Sequence, residues 1–279
     1  TMTIDTTAPA APTVASVGDD TGASATDKIT SDTTLTVTGT AEPGATIKVY
    51  DNTDPNNPVL VGTGVADAQG NYSVVTTPLQ PDATYPLSVT QTDLGGNTSA
   101  PVSAGNWTID TTPPASPAIT SYSQDTGTTG DGVTSDTDLS LSGTAEPGTS
   151  VAVYDNGTLI GTVIADANGV WTLNTTGTLA DGAHSFTTTA TDTAGNTSQP
   201  SAPLVITVDT APPAQPTLVS VSQDTGPSAT DKVTSDTTLT LTGRAEPGST
   251  VTVYDGTTVV GTAVADASGN YTVTTSTLS

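Results

Sequence analysis

A long internal repeat constrains the fold of this sequence more than any other feature. Near-copies of the pentapeptide TAEPG begin at residues 40, 144 and 244, which are 104 and 100 residues apart. A tyrosine–aspartate pair recurs with the same spacing and ends at Asp51, Asp155 and Asp255. Because a fixed period sets the architecture of a chain, and this period has the length of a small domain, we expect a tandem array of domains.

The repeat also predicts where the domains begin and end. We expect repeat 1 at 1–110, with its first five residues ending a preceding repeat, repeat 2 at 111–209, and repeat 3 at 210–279. Repeat 3 stops early, so we expect the chain to be a fragment of a longer protein. Since repeat 3 lacks two predicted strands and would leave an open sheet edge, we expect it to be the least stable part.

Within each repeat, short runs that alternate aliphatic residues with Thr and Ser predict β-strands. Repeat 2 contains seven such runs, separated by turn signals at the spacing of about 8–12 residues that is typical of a sandwich. A disordered Thr/Ser/Pro-rich stalk is the alternative, and the alternation argues against it. The predicted fold class is all-β: tandem immunoglobulin-like antiparallel β-sandwich domains arranged as an extended rod, with proline-rich linkers that favour extension.

Composition excludes several classes of function. The chain has no cysteine, so disulfides and thiolate metal sites are excluded. Its 28 acidic residues against 4 lysines and arginines give a net charge of −24, which argues against nucleic acid as a partner. No apolar run approaches the ~18 residues of a membrane helix, so we expect no membrane insertion, and we expect a monomer. The single histidine, His184, matches Tyr85 of repeat 1, which predicts a half-buried strand residue rather than a ligand or catalytic base.

All three glutamates of the chain lie in the repeated pentapeptide. Pro and Gly there predict a type II turn between the second and third strands, but the turn does not require Glu. In a seven-strand sandwich, alternate connections lie at opposite poles, so the C-terminal pole of one repeat faces the N-terminal pole of the next. This geometry predicts three junction clusters of carboxylates: Asp5, Glu42, Asp67 and Asp93; Asp110, Glu146, Asp166 and Asp192; Asp209, Glu246 and Asp266.

The predicted ligand of these clusters is Ca²⁺, because hard divalent cations take six to eight oxygen ligands and Ca²⁺ tolerates irregular geometry. On this hypothesis, only the extra methylene of glutamate lets the turn reach the ion or its water shell. The alternative, left open here, is that the glutamate is an exposed turn residue.

A second set of aspartates lies between the first and second strands of each repeat. The loop that holds them is long and polar, and a bound Ca²⁺ would order it. Asx-turns that cap the loop are the alternative. The residues are Asp19, Asp20, Asp27 and Asp32 in repeat 1, Asp125, Asp131 and Asp136 in repeat 2, and Asp224, Asp231 and Asp236 in repeat 3.

The order of motifs resembles a known family. The segments DTTAPAAP, SDTTLTVTGTAEPGATIKVYD, ADAQGNY and QTDLGGNTSAP resemble the bacterial Ig-like tandem repeats of giant type I-secreted adhesins and biofilm-associated surface proteins. The resemblance covers the whole chain. It implies a secreted stalk at the bacterial cell surface, stiffened by Ca²⁺ at and near its junctions. That stalk would extend a distal region that binds a host cell or an abiotic surface. Repeat 3 departs from the pattern because it lacks the TD-x-x-GN loop.

Three other functions remain for comparison. An enzyme is not expected, because carboxylate pairs such as Asp131 and Asp136 imitate glycosidase acids without an aromatic-lined cleft. The repeats could themselves bind a host glycan or protein. The chain could also be a spacer in a secreted polysaccharide-active enzyme.

Overall fold

The computed structural model describes residues 4–175, 177–221, 225, 228 and 232–278 of the 279-residue chain. These residues form β-strands and no helix, so the predicted all-β class is confirmed. Among them, no helix is long and apolar enough to cross a membrane. The chain divides into two compact units, Thr1–Asp209 and Thr210–Ser279. Repeats 1 and 2 lie in the first unit, and repeat 3 forms the second.

Repeat 1 is a sandwich of two sheets. One sheet has the order β1-β3-β6 and the other the order β2-β8-β7-β4-β5. Neighbouring strands are antiparallel except β2 and β8, which run parallel. The strands are β1 Thr13–Val17, β2 Ile29–Thr30, β3 Thr36–Thr40, β4 Thr46–Asp51, β5 Val59–Val65, β6 Asn71–Val75, β7 Ala83–Thr92 and β8 Val102–Ile109.

Repeat 2 has the same topology, with sheets β14-β11-β9 and β10-β16-β15-β12-β13. All seven strands predicted from alternation are present. The eighth, β10, spans only two residues and pairs parallel to β16, too short a run to produce an alternation signal. The strands are β9 Ala118–Tyr122, β10 Val133–Thr134, β11 Ser140–Thr144, β12 Ser150–Asp155, β13 Thr158–Ile164, β14 Val170–Asn174, β15 Gly182–Thr191 and β16 Leu204–Val208.

Repeat 3 has a three-stranded sheet, β17-β18-β21, and a two-stranded sheet, β19-β20. The registers of these pairs match those of repeat 2. The five described strands therefore occupy the positions of β9, β11, β12, β13 and β14. The strands are β17 Thr217–Val221, β18 Thr240–Arg244, β19 Thr250–Asp255, β20 Thr258–Val264 and β21 Asn270–Thr274.

One aromatic residue anchors the interior of each sandwich. Trp171 on β14 is 1% exposed and packs over Gly143 on the neighbouring β11, where a Cβ would lie 2.5 Å from the indole ring. Tyr72 and Tyr271 occupy the same position over Gly39 and Gly243. A glycine is needed at this point of β11 because a Cβ there would also lie 1.9 Å from the Ala118 carbonyl oxygen.

Candidate functional site at the junction of repeats 1 and 2

The junction begins at Asp110, directly after the last strand of repeat 1. The Asp110 N–H donates to the Thr30 carbonyl over 2.9 Å, which continues the parallel β2–β8 pairing. The next residues are held by Asp82, whose carboxylate accepts from the Thr111 N–H at 3.1 Å and from the Thr112 hydroxyl at 3.0 Å. The start of the linker is therefore fixed to repeat 1.

The second component is the turn that carries Glu146. The Thr149 N–H donates to the Glu146 carbonyl at 3.2 Å, with Pro147 at the second turn position and Gly148 at φ +80° in the third. This confirms the predicted type II turn. The Gly148 N–H donates to the Ala165 carbonyl, which fixes the turn between β11 and β12.

The third component is the loop 192–196 between β15 and β16, which Asn196 closes. Asp192 accepts the Asn196 N–H on Oδ1 and the Asn196 side-chain amide on Oδ2, both at 2.9 Å. The same side-chain amide donates to the Asp110 carbonyl at 2.9 Å. Asn196 therefore ties a loop of repeat 2 to the last residue of repeat 1.

Three acidic residues from these components line one cavity of about 230 Å³. Asp110 comes from repeat 1, whereas Glu146 and Asp192 come from repeat 2. The remaining lining residues are Thr112, Pro113, Pro147, Gly148, Thr149 and Thr193. The structure thus brings together three of the four residues predicted for this cluster.

The fourth, Asp166, does not line the cavity, because its carboxylate closes the β13–β14 turn. Its Oδ1 accepts the N–H groups of Asn168 and Val170 at 2.8 and 2.9 Å. The Val170 and Asn168 bonds favour the ionised form and hold the pKa of Asp166 below its ordinary value. Asp67 and Asp266 make the same turn in repeats 1 and 3, and their pKa values are also lowered, chiefly by Asn71 and Asn270.

The N-terminal cluster repeats part of this arrangement. Asn97 donates its side-chain amide to the Asp5 carbonyl at 3.2 Å and to Asp93 Oδ2 at 3.0 Å. Hydrogen bonds from Asn97 hold the pKa of Asp93 below its ordinary value. The structure thus brings Asp5 and Asp93 together.

Glu42 lies at the turn position that corresponds to Glu146, beside a connection that repeat 2 lacks. The amide of Gln91 accepts the Glu42 N–H at 2.8 Å and donates to the Ala10 carbonyl at 2.7 Å. Repeat 2 has Ala190 at the corresponding β15 position. A buried glutamine therefore ties the turn of repeat 1 to the linker that precedes it.

The residues of the third predicted cluster belong to different compact units and are described separately. The Asp209 N–H donates to the Thr134 carbonyl in repeat 2 at 2.9 Å. In repeat 3, Glu246 Oε2 accepts the Ala214 N–H at 3.4 Å. This contact gives the long glutamate side chain a second role, because it reaches the backbone of the linker. Asp266 closes its own turn, as described above.

The aspartates of the β1–β2 loop in repeat 1 mostly cap its backbone. Asp20 Oδ2 accepts the Lys28 N–H, Asp27 Oδ1 the Ile29 N–H, and Asp32 Oδ1 the Thr34 N–H, at 2.8–3.1 Å. Asp19 has φ +75° and accepts the Thr30 hydroxyl on its carbonyl. These contacts match the Asx-turn alternative for this loop, although a carboxylate oxygen that accepts one N–H retains capacity for another ligand.

Threonine hydroxyls close the base of this loop, which the sequence analysis did not foresee. Thr21 Oγ1 accepts the Ser31 N–H at 2.7 Å and lies 3.1 Å from Thr30 Oγ1. In repeat 2, Thr126 makes the same bond to the Ser135 N–H. Hydroxyl contacts therefore close the base of the loop in repeats 1 and 2, and ordering of the rest by Ca²⁺ stays a prediction.

The remaining loop aspartates follow the same pattern where the structure describes them. Asp125 Oδ2 accepts the Gly130 N–H, and Asp131 and Asp136 cap the N–H groups two residues ahead. Asp236 caps Thr238 in repeat 3. Asp224 and Asp231 lie outside the described residues.

The donor groups in these places fit a hard cation such as Ca²⁺. Oxygen is the only donor type among the three acidic side chains of the cavity, and Oδ1 of Asp20 is buried with no hydrogen-bond partner in the described structure. Over residues 4–278 apart from the gaps given above, no three His, Cys, Asp or Glu side chains already form an arrangement that could hold a metal. Calcium binding at the junction and loop residues stays a prediction.

His184 confirms its predicted match to Tyr85, since Tyr85 pairs with Trp107 and His184 with Ile206 in the same register. Its Nδ1 lies 2.7 Å from Asp155 Oδ2 and its Nε2 lies 2.9 Å from the Ala180 carbonyl. Burial lowers the pKa of His184, but the bonds to Ala180 and Asp155 outweigh it, so the pKa lies above its ordinary value. The ring is thus a structural group on β15.

Asn97, Asn196, Thr21 and Asp82 are the junction and loop residues that sequence reasoning missed. Asn97 and Asn196 recur in TD-x-x-GN, and Thr21 recurs in DTG, so their repetition was the signal that could have found them. Asp82 recurs as Asp181, each directly before its strand, so its repetition was a signal as well.

Family models match nearly the whole chain. A bacterial Ig domain model matches residues 8–106 and 226–279, and a bacterial Ig-like domain model matches residues 113–210. A comparison with curated protein sequences returned no match.

Several solved structures are similar to this chain, with TM-scores below 0.5. The fibronectin(III)-like modules of Clostridium thermocellum CbhA are 14% identical, over 64% of this chain and 87% of that one, with a TM-score of 0.42. The BSP domain of a biofilm associated protein is 25% identical over 72% of this chain and 30% of that one, with a TM-score of 0.26. A tetra-tandem repeat from the extending region of a large adhesion protein is 23% identical over 99% of this chain and 68% of that one, with a TM-score of 0.28.

The assignment rests on the family models and on the repeated sandwich topology, not on these scores. The first family model alone matches more than half of the chain. The chain therefore belongs to the bacterial Ig-like domain family and is a tandem array of such domains.

Proposed function

We propose that this chain is a non-enzymatic stalk segment of a large bacterial surface adhesin, stiffened by Ca²⁺ at the junctions between its repeats. The stalk would project a distal binding region from the cell surface. The observation that carries this proposal is the junction cavity, which acidic residues from two consecutive repeats line together. An ion bound there would be ligated from both sides of the junction.

Electrostatics supports a cation as the occupant. Residues 111–209 carry ten acidic side chains and no lysine or arginine, so no base of repeat 2 can offset Glu146 and Asp192. Without a counter-ion, the three carboxylates repel one another across the junction, and repulsion extends a chain without fixing its angles. A divalent cation reverses the sign of that interaction and favours the closed arrangement of the two repeats.

The protein contacts around the cavity support binding by reducing the ordering that an ion must cause. Asn196 holds Asp192 by two bonds and Asp110 by its carbonyl. The Thr112 N–H bonds to Asp110 Oδ1 at 3.1 Å. The backbone that carries the ligands is therefore fixed before an ion binds, which raises affinity. Because the three acidic side chains do not already form a metal-holding arrangement, Ca²⁺ would have to draw them together, with waters completing its ligands.

A location outside the cell fits this proposal. Extracellular calcium modules typically bind with dissociation constants of about 10⁻⁴–10⁻³ M. A site with three carboxylates and solvent access is of that kind, and it would fill where Ca²⁺ is abundant. A ligand that binds only the assembled junction also stabilises the fold in proportion to the logarithm of its concentration.

The test is a calcium titration of the whole chain by calorimetry, with Mg²⁺ titrated in parallel. Glu146→Gln and Asp110→Asn remove one junction charge each while keeping the size of the side chain. Asp54→Asn is the matched control, because it removes the same charge from an exposed loop between β4 and β5. We expect Ca²⁺ to bind the wild type and the control alike, and each junction variant to lose part of the heat.

Equal calcium binding by all four proteins would contradict the assignment of the junction residues. No binding by any of them would contradict the proposed function.

A further inference from the structure

We propose that repeats 1 and 2 are also held together by a direct protein contact that needs no ion. In this contact, here called the latch, Thr21 and Gly22 of the β1–β2 loop dock on residues 193–195 of repeat 2. The Thr21 hydroxyl donates to the Ala194 carbonyl over 2.6 Å, although the two residues are 173 positions apart. The latch deepens the proposed stalk function but involves no carboxylate of the junction cavity.

The backbone of the latch is in close contact on both sides. A Cβ on Gly22 would lie 2.0 Å from the Thr193 carbonyl oxygen, and a Cβ on Gly195 would lie 3.1 Å from the Gly22 Cα. Neither loop could approach so closely with a larger residue at these points. Ala194 is 0% exposed, although it stands at the tip of a loop between two strands. This burial shows that the contact excludes water.

The Thr21 hydroxyl is positioned for this contact by its own loop. A hydroxyl has one proton to donate and two lone pairs. The Thr21 oxygen accepts the Ser31 N–H, and its shortest contact is with the Ala194 carbonyl at 2.6 Å, an oxygen that can only accept. The bond across the junction is thus built on a hydroxyl that the loop already orients.

Two separate attachments act on the same five-residue loop of repeat 2. Asn196 donates to the Asp110 carbonyl in the linker, and Ala194 accepts from Thr21. A single attachment beside a linker leaves the repeats free to rotate about it. A second attachment, on a different element of repeat 1, opposes that rotation. We therefore infer that the latch aligns the repeats before Ca²⁺ binds, and that the ion adds resistance to opening.

Repeat 2 offers matched control positions for a test. Gly127 has φ +76° and Gly22 has φ +94°, so an alanine is strained by its backbone at both places. A Cβ on Gly127 meets no described atom within 4 Å, whereas one on Gly22 meets a carbonyl. Thr126 accepts the Ser135 N–H just as Thr21 accepts that of Ser31.

The experiment measures the distance between the two repeats by pulsed electron spin resonance. The chain has no cysteine, so Val75→Cys and Asn174→Cys can place one spin label at the exposed end of β6 and one at the exposed end of β14. Distance distributions are recorded for the full chain in calcium and in EGTA. The variants are Gly22→Ala and Thr21→Ala, with Gly127→Ala and Thr126→Ala as controls.

In EGTA we expect the labelled chain and both controls to give a narrower distance peak than Gly22→Ala, and we expect calcium to narrow the peak of the labelled chain further. Thr21→Ala should broaden the peak less, because it deletes a bond without introducing a clash. Circular dichroism checks that each variant remains folded. If Gly22→Ala and Gly127→Ala give the same distribution in EGTA, the latch is refuted.

The calcium arm separates this result from the stalk proposal. Narrowing of the peak on calcium addition tests the junction ion, whereas the difference between the variants in EGTA tests the latch. A chain that responds to Gly22→Ala but not to calcium would keep the latch and overturn the calcium proposal. The opposite pattern would overturn the latch alone.

Discussion

Repeats 2 and 3 have the same five strands in the same register, yet their interiors are buried to different degrees. Val153 on β12 is 0% exposed, whereas Val253 at the same position of β19 is only half-buried. Leu141 on β11 is fully buried, and its counterpart Leu241 is half-buried. Every residue of β17 is exposed, whereas β9 contributes Ile119 to the core of repeat 2.

The difference shows what β15 and β16 contribute. In repeat 2, β12 pairs with β15 on one side and β13 on the other. In the described part of repeat 3, β19 pairs with β20 alone. Phe186 on β15 and Ile206 on β16 are both 0% exposed, so these two strands close the sandwich and complete its core. The turns and hairpins form without them, but the tight interior does not.

The largest effect on stability should come from truncating Phe186, the largest fully buried side chain of β15 and β16. Phe186→Ala deletes a fully buried ring, and such deletions cost about 3–5 kcal/mol in the free energy of unfolding. Chemical denaturation measures this through the fluorescence of Trp171, in a Trp107→Phe background that leaves one tryptophan. Leu159→Ala is the control, because that side chain on β13 is 54% exposed. A loss for Phe186→Ala no larger than for the control would show that β15 does not complete the core of repeat 2.

Hydrogen exchange should show the next largest difference. The paired strands β18 and β21 of repeat 3 are less buried than the paired strands β11 and β14 of repeat 2. We expect exchange in repeat 3 to be about tenfold faster or more, which corresponds to opening that is about 1.4 kcal/mol easier. Mass spectrometry of peptides from the two pairings gives the ratio. Equal rates would show that β15 and β16 add little stability.

A smaller effect should be a dependence of the stability of repeat 2 on pH, through His184. Both nitrogens of His184 face acceptors, so only the protonated ring can donate to Asp155 and Ala180 at once. Because the folded pKa is raised, this stability is fully present below the unfolded pKa of about 6.5 and is lost as pH rises through the folded pKa. His184→Tyr, which restores the residue type found in repeat 1, should abolish the pH dependence. Thermal unfolding from pH 5 to 9 measures it.

The smallest effect should come from the aspartates that close the hairpin turns. Asp166→Ala in repeat 2 and Asp266→Ala in repeat 3 each remove an acceptor for two backbone N–H groups, so both should lower the melting temperature slightly. Their lowered pKa values mean that this contribution is present above about pH 3.8 and is lost as pH falls through the folded pKa. Unequal losses in the two repeats would show that the turns depend on the cover by β15 and β16.

Most of the fold follows from local patterns, so the sequence was sufficient to predict it. Alternation of apolar and hydroxyl side chains predicts the long strands, and Pro147 with Gly148 predicts the type II turn. The two residues of β10 form a strand only because β16 lies beside them, and no local pattern marks that contact.

The junction was predicted in part, for a reason that Asp166 illustrates. Pole geometry depends only on the direction of the strands, and Asp110, Glu146 and Asp192 do line one cavity, whereas their role as metal ligands stays a prediction. It cannot predict where the oxygens of Asp166 point, and these accept N–H groups of their own turn. The contact between Thr21 and Ala194 depends on how two domains pack, which the sequence of neither loop encodes.

The proposed function requires that Ca²⁺ stiffens the junction of repeats 1 and 2 through the acidic residues of its cavity. Small-angle X-ray scattering of the whole chain tests this stiffening. Scattering is recorded in calcium and again after addition of EGTA, for the wild type, Glu146→Gln and Asp54→Asn. We predict that calcium reduces the flexible contribution to the scattering of the wild type and of Asp54→Asn, and that Glu146→Gln loses most of this response. Identical scattering curves in calcium and EGTA for the wild type would contradict stiffening of the junction by Ca²⁺.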